Sequence, residues 1–328
     1  MLAASVLAAA SVFHGTPVPQ QQTPWLVSLT RAYVACGGSL IAPDRVLTAA
    51  HCVQGADPSR LSVRIQGKRY AWKGAIFPST YRLIPSPVAP RDPHASGSAD
   101  DLAVLLLKAP VTGVATLPVA DPPAAVGEAS LTVGHGQTGE GPAPSWSQGG
   151  LGASQTVSDA RPDAYGPRLF NPALHLCTQD TTSAKSQACA GDSGSPVMVQ
   201  RNGGWAVAAV VTWGGETQGR ECGGGLPDVS ELVAAHRALL TETKTPAPWA
   251  KQRTRVRREG HTLRCLSGPW SGKPKLTVRW WRRSTLTGPP HYVSGTKATR
   301  PDEPGALGCS VTARTAGGWA TEQSYNLL

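Results

Sequence analysis

Two short motifs far apart in the chain, Thr48-Ala-Ala-His-Cys52 and Ala188-Cys-Ala-Gly-Asp-Ser-Gly-Ser-Pro196, constrain this sequence more than any other feature. A serine hydroxyl is a poor nucleophile at neutral pH; it needs a neighbouring base, an orienting carboxylate and donors for the oxyanion. The fold is therefore expected to bring His51 and Ser193 into one place. In Gly191-Asp-Ser-Gly194 the small residues let the backbone turn tightly, so that the amides of Gly191 and Ser193 point at one developing negative charge. The carboxylate is sought in Asp100-Asp-Leu-Ala-Val-Leu-Leu-Leu107, where an apolar run follows an acid and buries it against a histidine. Asp101, immediately before that run, is the candidate.

The order His51, Asp101, Ser193 is that of the chymotrypsin template and differs from subtilisins and α/β-hydrolases. With Pro24-Trp-Leu-Val-Ser-Leu29, Cys36-Gly-Gly-Ser-Leu-Ile41 and Val211-Thr-Trp-Gly214 also in sequence, residues from about Val12 to about Leu240 resemble a trypsin/chymotrypsin-like serine protease. The resemblance implies an all-β fold of two packed antiparallel six-stranded barrels with the site between them, and peptide hydrolysis through an acyl-enzyme with no metal and no cofactor. It also implies that Cys36 bridges Cys52 and that Cys189 bridges Cys222, each contributing about 2–4 kcal/mol by constraining the unfolded chain in an oxidising compartment. With seven cysteines one is left over, and Cys177 is the choice. A competing reading is a non-catalytic adhesin or interaction protein that keeps the fold.

Trypsin-like enzymes carry an aspartate six residues before the nucleophile; here Gln187 stands there. Leu226-Pro-Asp-Val229 resembles the family's Pro-Gly-Val wall of the primary pocket with Asp228 in place of glycine. A carboxylate on that wall meets a cationic side chain, giving cleavage after Arg or Lys. The alternative is that Asp228 is taken by an internal partner such as Gln187. Thr212, Trp213 and Gly214 complete the expected pocket, their backbone pairing with an extended substrate. Val12-Phe-His-Gly15 stands where the family's mature terminus does, twelve residues before Pro24, so a freed Val12 amine is expected to pair with Asp192. Leu2 to Ala10 resemble the end of a signal peptide, with small residues Ala9 and Ser11 before a cut at Val12, although a positive n-region is missing. The expectation is a soluble, secreted monomer acting on polypeptides.

The chain is longer than this resemblance. Residues 1–11 read as the remnant of a signal peptide, 12–240 as the protease domain, 241–250 as a Pro-containing linker and 251–328 as a further domain. From Thr245 onward there are 14 Lys and Arg against 4 Asp and Glu, so the whole surplus of +10 lies in the tail. Alternating segments such as His261-Thr-Leu-Arg-Cys265 and Leu276-Thr-Val-Arg-Trp280 predict strands with one buried face. Cys265, then Trp280 or Trp281, then Cys309 resembles the Cys, Trp, Cys order of immunoglobulin-like domains, which implies a small β-sandwich with a Cys265–Cys309 disulfide. The usual tyrosine before the second cysteine is Leu307 here. Arg253, Arg255, Arg257, Arg258, Arg282 and Arg283 suggest an anionic surface or polymer as partner, or simply a solvated charged face; no motif for specific nucleic-acid binding is present.

Overall fold

A computed structural model describes residues 12–31, 34–85, 96–136, 150–158, 170–214, 222–223, 226–283, 291–293, 295–301 and 306–324. The signal-like segment, Gly224, Gly225 and the core of the Gly/Pro/Ser-rich stretch between Gly134 and Gly152 lie outside them. The chain divides into two compact units. The first comprises residues 1–53, 58–73 and 80–242; the second comprises 54–57, 74–79 and 243–328.

Within the first unit, Leu151–Ser158, Ala129–Gly134, Pro196–Arg201, Gly204–Gly214, Asp228–Leu232 and His175–Gln179 are antiparallel neighbours in that order. His175–Gln179 pairs back onto Leu151–Ser158, so the six strands close a barrel. Period-two alternation drives it: Ala153 and Val157 face inward while Ser154 and Thr156 face water, and Val157, Leu176, Ala188, Val197, Ala209 and Val211 form one core cluster. Gln155 occupies an inward position of the same strand and is 5% exposed. Burying an amide among such neighbours is costly unless its hydrogen bonds are made.

Lys68–Tyr70, Ser62–Ile65, Leu26–Arg31, Val34–Ala42, Arg45–Thr48, Ala103–Leu107 and Trp72–Ile76 form the other set of neighbours, seven strands in that order. Here the expectation of a second closed barrel is corrected. Among the described residues no ladder joins the two end strands, Lys68–Tyr70 and Trp72–Ile76, which follow one another in the chain with Ala71 between them, and the set is a half-barrel. Lys68–Tyr70 is three residues long with Lys68 and Arg69 exposed. By contrast every residue of Ala103–Leu107 is buried, which is why that run shows no alternation.

In the second unit Arg255–Glu259, Thr262–Leu266 and Thr299–Pro301 form one sheet, and His291–Val293, Lys275–Arg283, Ala306–Thr315 and Gly318–Gln323 another. A disulfide between Cys265 and Cys309 ties one sheet to the other, and both cysteines share a core with Val256, Leu263, Trp280, Leu307 and Val311. The end of the Pro-containing stretch 241–250 and the residue after it are hydrogen-bonded within this unit. Trp249 N–H donates to Ser271 Oγ (2.9 Å), Lys251 N–H donates to Pro269 O (2.9 Å), and Thr315 Oγ1 donates to Pro246 O (2.8 Å). Proline removes donors, but the carbonyls and the neighbouring N–H groups of such a stretch still find partners.

Candidate active site

His51 sits in a single helical turn, Ala50–Val53, directly after the Arg45–Thr48 strand. Ser193 sits in the tight turn before Pro196–Arg201, where Gly191 and Gly194 take φ of +95° and +84°, values that strain any residue with a Cβ. One strand spans the two. Gly37 N–H donates to Ser193 O (2.8 Å), and its neighbour Cys36 is disulfide-bonded to Cys52, the residue after His51. Thr48 Oγ1 donates to Gly37 O (2.8 Å), tightening the same junction. A Cβ on Gly37 would overlap Ser195 Oγ and press on the Ser195 Cα at 3.0 Å. Gly37→Ala is accordingly expected to shift the Ser193 turn and lower kcat/KM by about 100-fold, the scale at which small misplacements of a nucleophile act. Rates normalised to fluorophosphonate-titrated sites check this.

Asp101 is fully buried and carries four bonds. Its Oδ1 accepts from His51 N–H (2.9 Å). Its Oδ2 accepts from His51 Nδ1 (2.7 Å), from Ser98 Oγ (2.9 Å) and from Thr212 Oγ1. Burial alone would raise the Asp101 carboxyl and lower the His51 imidazole. The mutual charge and hydrogen bonds outweigh burial in both, leaving Asp101 below and His51 above their ordinary values. The imidazole is thus held with its Nδ1 proton on the carboxylate and its other nitrogen available as a base.

Thr212, expected in the primary pocket through its backbone, also donates its side-chain hydroxyl to Asp101. The register between Gly204–Gly214 and Asp228–Leu232 slips between Val211 and Trp213, leaving Thr212 as the extra residue of a bulge that re-aims its hydroxyl. Ser98, three residues before Asp101, was not anticipated. The expected pocket residues Trp213 and Gly214 pair with Val229 and Asp228. Asp228 is 2% exposed and accepts at Oδ2 from Ala188 N–H (2.8 Å) and Gln155 Nε2 (2.8 Å), and at Oδ1 from Gln187 Nε2 (3.5 Å). Burial holds its carboxyl up at about 7, against the opposing pull of these bonds. Gln155 left one trace in the sequence, a polar residue on the inward phase of an otherwise apolar face.

Val12 is fully buried against Leu151 and Ala153, and Phe13 bridges Gln187 through paired backbone bonds of 3.0 and 3.1 Å. Asp192 is fully buried and accepts from Gly136 N–H (2.8 Å) and Cys189 N–H (3.0 Å). While the peptide bond before Val12 is intact its nitrogen is an amide and offers Asp192 no charge. Cys189 is bonded to Cys222, and Cys177 is a buried free thiol pushed up to about 12, first by burial and then by Asp228. At that value it is not a nucleophile at neutral pH.

Two groups of metal-ligand residue types occur among the described residues. Cys36, His51 and Cys52 approach one another, but both sulfurs are committed to a disulfide. Asp100, Glu231 and His236 also approach, and His236 Nε2 lies 2.7 Å from Glu231 Oε1, a part-buried pair that accounts for the approach of those two.

A family model described as Trypsin matches residues 12–235. Over 208 residues the chain is 33% identical to trypsin of Squalus acanthias, covering 62% of this chain and 84% of that one. Over 217 residues it is 31% identical to a trypsin-like protease of Streptomyces glaucescens, covering 65% of this chain and 76% of the relative.

Proposed function

The chain belongs to the trypsin family and is a trypsin-like serine endopeptidase, and from that premise we propose that His51, Asp101 and Ser193 carry its reaction. The proton of Ser193 Oγ passes to His51 Nε2 as Oγ attacks the scissile carbonyl carbon. The resulting oxyanion faces the N–H groups of Gly191 and Ser193. His51 then gives the proton to the leaving amine, the C–N bond breaks, and water repeats the cycle on the acyl-enzyme. Asp101 stays ionised throughout, fixing the imidazole tautomer and stabilising its cation. The observation that carries this reading is the double grip of Asp101 on His51, at Nδ1 (2.7 Å) and at the backbone N–H (2.9 Å). Rapid stoichiometric labelling of Ser193 by a fluorophosphonate tests it, and an unlabelled chain with a free Val12 terminus counts for the adhesin reading.

The substrate preference we assign is Arg or Lys before the scissile bond, read by Asp228. A buried carboxylate with only neutral donors around it is stabilised by an incoming cation. Above pH 8, anilides ending in Lys or Arg are expected to turn over at least about 10-fold faster, in kcat/KM, than those ending in Phe or Leu, a gap lost in Asp228→Gly. A preference for Phe or Leu in the parent chain favours the alternative, in which the internal donors of Asp228 leave no room for a charge.

Activation follows from release of Val12, whose amine then pairs with Asp192. Secretion agrees with the disulfides and with the absence, among the described residues, of any helix long and apolar enough to cross a membrane. For the second unit we propose an immunoglobulin-like domain that holds anionic surfaces. What supports this is a strand in which Arg255, Arg257 and Arg258 are exposed while Val256 enters the core beside the inter-sheet disulfide.

A further inference from the structure

Gln155 is held from four sides. Its Oε1 accepts from Thr178 Oγ1 (3.0 Å) and Thr132 Oγ1 (3.3 Å), while its Nε2 donates to Asp228 Oδ2 (2.8 Å) and to Ser186 O (3.2 Å). The amide has one sensible orientation, because a carbonyl and a carboxylate only accept and an inverted amide would set oxygen against oxygen. Ala188 N–H donates to the same Asp228 Oδ2 (2.8 Å), so that oxygen has both of its usual partners. Among the described residues Oδ1 has a single weak contact, Gln187 Nε2 at 3.5 Å. Gln187 is itself anchored, since its Oε1 accepts from Gly223 N–H (2.9 Å).

We propose that Gln155 is a specificity-determining residue: by occupying Oδ2 of Asp228 it leaves Oδ1 as the one oxygen offered to the substrate, and so makes the pocket favour Lys over Arg. This rests on the reading of Asp228 as the end of the primary pocket. The asymmetry is chemical. A guanidinium gains most from a carboxylate that presents two oxygens to its planar fork, whereas an ammonium is a compact charge that one oxygen serves well. With Oδ2 turned into the barrel wall, the fork has one tooth unpaired in a buried site, which costs more than a missing bond in water. Gln155 acts through Asp228 and touches no substrate atom, so it is a positioning residue.

The test compares kcat/KM for matched Lys, Arg and Leu anilides at pH 8.5 in the parent chain, in Gln155→Met and in Thr178→Val, each with a free Val12 terminus and normalised to fluorophosphonate-titrated sites. The parent is expected to favour Lys over Arg by about 5-fold or more, and Gln155→Met to bring that ratio to within about 2-fold of unity, a shift on the scale of one hydrogen bond. Thr178→Val removes one anchor of Gln155 and no hydrogen bond of Asp228, its cross-strand neighbour, and is expected to fall between them, which keeps the proposal testable should the methionine variant not fold. General damage lowers both rates together and leaves their ratio alone. A parent ratio at or below one, or a ratio unchanged in both variants, overturns the role of Gln155 while leaving Asp228 as the cation's partner. A parent that cleaves the Leu anilide better than either basic one overturns the reading of Asp228 itself.

Discussion

Ser193→Ala in the enzyme with a free Val12 terminus is expected to lower kcat/KM by about 10⁴-fold or more for every peptide substrate the parent cleaves. The size follows from how the three groups depend on one another. Without the hydroxyl, His51 has no proton to take and the anion-binding amides have no covalent intermediate to stabilise. Without His51, the hydroxyl is not activated. Losses in such a unit do not add, so His51→Ala is expected to be comparably inactive and the double variant hardly worse than either single one. Asp101→Asn should also cost about 10⁴-fold, because an amide in place of the carboxylate reverses the tautomer demanded at Nδ1. The same geometry sets the pH profile. Only neutral His51 accepts the proton, and Asp101 holds the imidazole above its ordinary 6.5 against the effect of burial. The acidic limb of kcat/KM should therefore have its midpoint above 6.5, with activity rising as pH rises through it. Steady-state kinetics on titrated sites decides the matter. Multiplicative losses in the double variant, or a Ser193→Ala chain that hydrolyses at the parental rate, would count decisively against this assignment.

What the sequence made legible was what is local. His51 and Ser193 announce themselves because the turns that carry them need small residues and cysteines at fixed offsets, and Asp101 stands at the head of a run whose five strand residues are all buried. The Cys265, Trp280, Cys309 pattern was readable for the same reason: alternation in Lys275–Arg283 and Ala306–Thr315 sets which residues meet inside, and Trp280 and Cys309 are register partners. What was not legible depends on closure of the six-stranded barrel and on irregularities of register. Thr212 reaches Asp101 only because a bulge displaces it, and nothing in Val211-Thr-Trp-Gly214 marks that slip. Gln155 meets Asp228 across 73 positions of sequence, a contact made by the His175–Gln179 strand pairing with both of their strands. Closure of the other set of strands was expected from resemblance alone, and among the described residues no ladder joins its ends, Lys68–Tyr70 and Trp72–Ile76.

Asp192 offers the second large effect, and its sign differs between the two forms of the chain. In the uncleaved chain burial holds the carboxyl at about 7, opposed by the bonds from Cys189 and Gly136 and reinforced by Asp228. A folded value raised from the ordinary 3.8 means that folding takes up a proton. The associated stability is fully present below pH 3.8 and is lost as pH rises through 7, a swing of about 4 kcal/mol. Asp192→Asn cannot ionise, but its amide NH2 faces a backbone N–H that a carboxylate oxygen satisfied, donor against donor, so part of the gain is returned. The uncleaved variant is therefore expected to be more stable than the uncleaved parent by about 1–2 kcal/mol at pH 8, with the difference vanishing or reversing at pH 5. Urea unfolding at the two pH values measures it; His51 contributes to both proteins alike, while loss of the repulsion between Asp192 and Asp228 adds to the difference with the same sign. In the proposed activation, release of Val12 gives the carboxylate a buried cation, and losing one member of such a pair costs about 3–5 kcal/mol. The same Asp192→Asn substitution should then lower kcat/KM by about 100-fold or more while leaving the uncleaved form more stable. A difference independent of pH would mean that Asp192 is not held protonated, and full activity after release would mean that no switch runs through it. The two results together separate a carboxylate that is merely buried from one whose burial is relieved by activation.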